Sequence, residues 1–447
     1  MNTKSNQLGK QSEKIYDRAT KVLTGGVSRN TIFRNPHPFY VSTANGSYIT
    51  DVDGCKRIDF ANNMASLIHG HSHPKIIEAV TDQLQKGSAF TMGSELEVKY
   101  AELLNNRTKS FEKIRFMNSG TEAVMTMIKA SRVYTGKHKI AKAEGTYHGT
   151  YDYAEISQTS NPTNWGTIDK PNPVPIVEET PKGVLNDMVI FPYNDIERTI
   201  KLLNQNANEI ACVLIDLVPH RVGLIPATKE YIDAIYKWTR ENNTILAFDE
   251  VVTYRVNYSG AQENYNVEPD LTALGKIIGG GFPIGALAGK SEIMQVLDPT
   301  EKKIRHPHSG TFSANPISMT AGYTAMKMFD KQAVLDLNKL TKIAIKQIEE
   351  SISLSGIPAG VTGDGSMFRV HFNNNKPTTY REAYQEKEIK TIINELLDYL
   401  FLKENIIMIN TCACMFATTL NQQHVDRLSE ALLNGFRIIK PKLENIS

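Results

Sequence analysis

The alternation of short apolar runs with amphipathic stretches through the middle of the chain limits its fold more than any other feature. Lys113 to Met117 predicts a strand, Glu122 to Tyr134 a helix closed by Gly136, and His138 to Lys142 the next strand. Ile210 to Val218, a helical Lys229 to Glu241 and Thr244 to Val252 repeat the order. Parallel neighbours need a long connection, which a helix supplies, so strand, helix, strand predicts a parallel sheet with right-handed crossovers. In such a sheet the carboxyl ends of the strands face the ligand crevice.

From about Phe329 the pattern changes to long charged helices, Gln332 to Ser353 and Glu386 to Lys403, with strand-like Met367 to Phe372 between them and Ile406 to Asn410 after them. Gly46 to Phe60 has hairpin chemistry around Asp51-Val52-Asp53-Gly54 and is expected to join this terminal lobe. The expected class is therefore α/β. Residues 61–328 form a large domain with a mostly parallel sheet flanked by helices, and residues 1–60 and 329–447 together form a smaller α+β domain. The Pro- and Asn-rich stretch Asn161 to Pro175 is read as a surface loop near a cleft.

Lys and Arg total 50 against 48 for Asp and Glu, and the net charge of +2 gives no bulk attraction to nucleic acid or membrane. Partners are then expected to be small molecules or another subunit. Met1 to Lys14 is polar, without the apolar core of a secretory signal, and no apolar run approaches transmembrane length. Four cysteines are too few and too scattered for a disulfide framework, which suits a reduced, cytoplasmic protein. Cys412 and Cys414 are expected as buried thiols on one face of a strand, and no metal site is expected.

Three segments carry chemistry. In Leu274-Gly275-Lys276-Ile277-Ile278-Gly279-Gly280-Gly281 a lysine sits among apolar residues, where desolvation eases its deprotonation and lets it attack an aldehyde. Alone, the octapeptide equally describes a surface lysine beside a glycine turn. Thr244 to Val251 ends in Asp249 and Glu250, and an aspartate in that apolar setting needs a cationic partner such as a protonated pyridine nitrogen, or else caps a helix. Met117-Asn118-Ser119-Gly120-Thr121-Glu122 opens a helix with free N–H groups, which suits phosphate, although Ser119 or Thr121 also suits an N-cap.

Taken in order, these segments and others resemble the class III pyridoxal-phosphate aminotransferases, in the branch of glutamate-1-semialdehyde aminomutase and the β-phenylalanine aminotransferases. The resemblance runs from about Leu23 to Phe329. It includes Gly54, Gly70-His71-Ser72-His73-Pro74, Asn118 to Ala123, Tyr147-His148-Gly149, Asp249-Glu250-Val251, Leu274-Gly275-Lys276 and Gly310-Thr311-Phe312. It implies the aspartate-aminotransferase-like fold type I and pyridoxal 5'-phosphate as cofactor. Lys276 would carry the cofactor as a Schiff base and shuttle a proton, and Asp249 would pair with the pyridine nitrogen. Tyr147 would stack on one ring face and Val251 pack against the other. Ser119, Gly120 and Thr121 would cradle the phosphate. Thr311 would reach the phosphate of a neighbouring subunit, which makes the protein a homodimer with shared sites. His69, His71 and His73 alternate like metal ligands, but their setting matches a structural loop of the family.

The implied activity is amino transfer from an amino acid, in one version a β-amino acid, to a keto acid or aldehyde acceptor. An aminomutase or an amino-acid racemase would use the same residues. Gly25 to Phe33 resembles the β-phenylalanine enzymes without a gap and implies Arg29 as the anchor of the substrate carboxylate. The aminomutase pattern puts its arginine where this chain has Ile32. The β-phenylalanine enzymes carry a second arginine in the region matching Asn410-Thr411-Cys412, where this chain has none. A further departure is Asp216-Leu217-Val218-Pro219-His220-Arg221 in place of the usual Glu-Pro turn, with His220 and Arg221 either reshaping the pocket or pointing to solvent.

Overall fold

The computed structural model describes residues 9–445 apart from Asn374; Met1 to Leu8, the start of the polar N-terminal stretch, lies outside the described residues. In chain order the strands are β1 (Val41–Asn45), β2 (Tyr48–Asp51), β3 (Lys56–Asp59), β4 (Lys113–Met117), β5 (Lys139–Ala143), β6 (Gly166–Thr167), β7 (Lys170–Pro171) and β8 (Met188–Phe191). They continue with β9 (Ile210–Ile215), β10 (Ile245–Asp249), β11 (Leu271–Gly275), β12 (Gly285–Gly289), β13 (Gly360–Asp364), β14 (Met367–His371), β15 (Ile406–Ile407) and β16 (Ala413–Met415).

Seven strands form the central sheet in the order β4-β12-β11-β10-β9-β5-β8. β9, β10 and β11 are buried at every position, as continuous apolar runs are when helices cover both faces of a sheet. All pairings are parallel except those of β12, which runs against both β11 and β4. The sequence reading missed β12 because Gly-Ala-Leu-Ala-Gly lacks the β-branched and aromatic residues that mark a strand. The small residues have a packing reason: a Cβ at Gly285 would lie 1.9 Å from the Ser119 carbonyl oxygen.

The helix after β4 spans Gly120–Thr135, starting two residues before the predicted limit, because Ser119 caps it by accepting from the Glu122 N–H at 3.1 Å. It ends at Gly136 in the left-handed conformation, as expected. The terminal helices are Lys331–Ser355, Lys387–Leu402 and Gln422–Glu444. β1, β2 and β3 form antiparallel pairs, and β3 runs parallel to β15, joining the N-terminal hairpin to the C-terminal part of the chain. β13, β14 and β16 make a third, antiparallel sheet. One apolar cluster connects these layers, from Tyr100 and Phe116 through Phe329 and Phe368 to Phe436.

Two local expectations fail. The predicted strand Ile406 to Asn410 shrinks to Ile406–Ile407, because the chain turns there: Cys412 has φ 59° and its N–H bonds the Ile409 carbonyl. Cys412 therefore lies outside a strand, and only Cys414 sits on β16, although both thiols are buried and unpaired. Asn161 to Pro175 folds into the β6–β7 hairpin, clamped where the Arg381 guanidinium lies 4.6 Å from the Trp165 ring centre and Arg381 Nε is 2.8 Å from Glu144.

Candidate active site

Parallel strands end on one side, and four of them bring the chemistry-bearing residues together. β10 ends at Asp249, β11 leads into Lys276, β4 into Asn118 to Thr121, and β5 into Thr146 to Gly149. Asp249 pairs with Ala273 in the register, and Gly275, Gly285 and Met117 lie side by side across β11, β12 and β4.

Asp249 is 4% exposed. Its Oδ2 is 2.7 Å from His148 Nδ1, and its Oδ1 accepts from the Val251 N–H at 3.0 Å. His148 is buried, and its other nitrogen lies 2.9 Å from Thr146 Oγ1. Burial pushes the His148 pKa down, against the upward pull of Asp249. His148 thus orients the carboxylate, a role absent from the sequence reading. Its signal lay in the quoted Tyr147-His148-Gly149, but nothing in the sequence showed that this segment meets Asp249.

Lys276 adopts φ 48°, a strained conformation for a residue with a side chain, of the kind found at functional sites. No hydrogen bond or ion pair engages its amine among the described residues, and burial lowers its pKa while Asp249 and Asp216 pull it back up. Asp216 is buried after β9, accepts from the Val218 N–H at 3.0 Å, and is driven well above the carboxylate range by burial and by Asp249. Glu250, pushed up to about 7 by burial, is turned away onto Ala261, Gln262 and Thr253.

At the start of Gly120–Thr135, the N–H groups of Gly120 and Thr121 have no protein acceptor among the described residues, while Ser119 both caps the helix and precedes them. Val251 packs so closely here that a Cβ at Gly120 would lie 2.8 Å from its Cγ1. Thr121 in turn touches the Tyr147–Gly149 loop: a Cβ at Gly149 would lie 2.7 Å from Thr121 Oγ1. Tyr147 is 38% exposed, and the Arg221 guanidinium lies 4.9 Å from its ring centre. Lys142, buried under this loop, donates to the carbonyls of Thr146, Ala154 and Ile156 at 2.7–2.9 Å and escaped the sequence reading.

Arg29 is exposed and donates to Asn63 Oδ1 at 2.9 Å rather than to a surface acid. It lines a cavity of about 750 Å³ with Asn63, Met64, Gly281 and Asn410. Asn62 to Ala65 form a left-handed turn, with φ between 44° and 72°, held by Asp59 Oδ1 accepting from the Ala61 and Asn62 N–H groups. Thr311 lines a second cavity, of about 380 Å³, with Phe90, Arg115 and His308. His69 bonds Thr418 and the Ala325 carbonyl, and His71 bonds Asp59, so these rings serve the fold.

The residues fit pyridoxal phosphate: an unpaired amine, a buried carboxylate and a glycine-lined helix start with free N–H groups converge at one sheet edge. The class-III aminotransferase family model matches residues 31–432. A glutamate-1-semialdehyde 2,1-aminomutase of Methanothermobacter thermautotrophicus is 35% identical over 96% of this chain and 100% of its own length. Among solved structures, an omega-transaminase from Sphaerobacter thermophilus is 39% identical, with a TM-score of 0.94 over 98% of this chain and 100% of that one. A transaminase with pyridoxal phosphate bound is 36% identical, with a TM-score of 0.89 over 97% of this chain and 99% of that one. The chain thus belongs to the class-III aminotransferases, with the fold type I architecture of pyridoxal-phosphate enzymes.

Proposed function

We propose that this protein is a pyridoxal-phosphate-dependent transaminase that moves an amino group from an amino acid, with β-amino acids among the donors, to a keto acid or aldehyde acceptor. The observation that carries the reading is the unpaired Lys276 amine beside the His148–Asp249 pair. Bound there, pyridoxal 5'-phosphate supplies an electron sink for the charge left when a substrate carbon loses its proton.

The chain's own residues supply the rest. Lys276 Nζ, whose pKa burial lowers, would hold the cofactor at its aldehyde carbon and would carry the substrate's proton. Asp249 would pair with the ring nitrogen and favour its protonated form, and His148 orients the carboxylate. The Gly120 and Thr121 N–H groups and the Ser119 and Thr121 hydroxyls bind the phosphate, aided by the positive end of a sixteen-residue helix. Tyr147 would cover one ring face and Val251 would support the other. Arg29 binds the substrate carboxylate through two parallel hydrogen bonds, exchanging Asn63 for it. Thr311 of the partner subunit completes the phosphate site in a homodimer.

Relatives named aminomutases keep a second reading open, in which one amino substrate is rearranged without an acceptor. Release of a keto acid from a single amino substrate, with conversion of the cofactor to its amine form, supports the transaminase. Product formed without any second substrate supports the aminomutase or a racemase. Borohydride reduction followed by peptide mapping places the label on Lys276, and Lys276→Ala loses turnover while keeping its fold. A label on another lysine overturns the assignment.

A further inference from the structure

Arg369 on β14 is 8% exposed, and its Nε has no hydrogen-bond partner among the described residues. It lies two residues from His371, so both side chains leave the strand on one face. His371 Nε2 is 2.9 Å from the Gly223 carbonyl oxygen, which turns that face toward the segment 219–223. The Val370 N–H donates to the Cys412 carbonyl at 3.0 Å, and Thr411 Oγ1 is 3.3 Å from His220 Nε2. Asn410, next in the chain, lines the cavity that also holds Arg29. The segment Asn410 to Cys412 therefore joins the Arg29 cavity to the surroundings of Arg369, where the charges of Arg369 and Lys276 both reach His220.

Among the described residues no acid offsets Arg369. Burial lowers its pKa only to about 10, so it stays charged at neutral pH, and its one favourable electrostatic neighbour is the Cys412 thiol, itself pushed up to about 12 by burial and so uncharged. His220 is held neutral, down at about 3, by burial and by the positive charges of Arg369, Lys276 and Arg221. A buried guanidinium among neutral and cationic groups is unfavourable until an anion reaches it.

We propose that Arg369 binds a second carboxylate of the substrate, so that the cleft takes a dicarboxylic amino or keto acid with one carboxylate on Arg29 and the other on Arg369. The inference rests on the transaminase reading for the identity of the substrate, but the anion site is tested without turnover. The holoenzyme is titrated by calorimetry with two unreactive acids, glutarate and butyrate. Wild type is expected to bind glutarate about tenfold to a hundredfold more tightly than butyrate, the scale of one charged hydrogen-bonded contact. Arg369→Met is expected to erase that preference, and Arg369→Lys to keep part of it. Ligand-free Arg369→Met should melt no lower than wild type, because it removes an unpaired buried charge, and should lose the rise in Tm caused by glutarate.

Equal affinity of wild type for the two acids overturns the proposal, and so does a preference that survives in Arg369→Met. If the Met variant does not fold, the wild-type comparison and Arg369→Lys decide, an unchanged preference in the Lys variant counting against the site. Failure of every amino acid to convert the cofactor, with the glutarate preference intact, overturns the transaminase reading and leaves Arg369 as the anion site.

Discussion

Asp249 and His148 are 101 residues apart in sequence and 2.7 Å apart in space. An acid at the end of an apolar strand is legible as a ligand-facing residue, because strand ends in a parallel sheet face the crevice. Its histidine is not, because long-range pairing leaves no local pattern. The same limit applies to Arg29, whose place in the sequence suggests a carboxylate anchor while its present bond to Asn63 depends on a left-handed turn that no propensity predicts. The guanidinium fork matches a carboxylate and lysine does not. Arg29→Lys should therefore weaken binding of carboxylate substrates by roughly 1.5–3 kcal/mol, while amines lacking a carboxylate bind nearly as before. Titration of the holoenzyme with matched acid and amine ligands checks this, and equal loss for both types removes Arg29 from the carboxylate site.

At the scale of elements, the strands with apolar or β-branched residues were legible and those built of glycine and alanine were not. β9, β10 and the helix Gly120–Thr135 follow the predicted pattern, whereas β12 is recognised only through what it packs against. The loop that carries Tyr147 and His148 was expected near the cofactor, but the lysine beneath it was not, since a lysine in the middle of β5 suggests an exposed edge. Lys142 holds three carbonyls of the segment from Thr146 to Ile156, and burial lowers its pKa to about 7 from the ordinary 10.5. Lys142→Met leaves those acceptors without a donor and should destabilise the protein by roughly 1–3 kcal/mol. Between about pH 7 and 10.5 the unfolded lysine holds a proton that the folded one has released, so stability contributed by Lys142 grows with pH across that window. Denaturation of both proteins at several pH values should show wild type gaining on the variant as pH rises; a constant difference removes the titration from Lys142.

For the whole molecule, the change of pattern near Phe329 was read as the boundary between a parallel-sheet body and terminal α+β parts, and the helix Lys331–Ser355 begins there. How the ends meet was less visible: the β3–β15 pairing joins residues near positions 58 and 406 through a two-residue strand. The cavity of Thr311 is lined in part by the exposed Phe90 and Met92, and Phe312, next in the chain, is exposed as well, apolar side chains that suit a second copy. The protein should therefore sediment as a homodimer at assay concentrations, with an interface of about 2,000 Å² or more. A fully active monomer in the ultracentrifuge removes the shared-site arrangement.

The reversed strand β12 also sets a timetable. Among the described residues β4 pairs in the sheet only with β12, so an emerging chain that has reached only β11 leaves β4 unpaired with the remaining five strands. Ser119 follows β4 and Lys276 follows β11, and Gly285 on β12 lies between Met117 and Gly275. Until residues 285–289 have been made, the phosphate cradle and the lysine are linked by packing alone, through the helix Gly120–Thr135 on β9, β10 and β11 and through Val251 against Gly120. The hydrogen-bonded link between β4 and β11 is thereby postponed to the later part of synthesis.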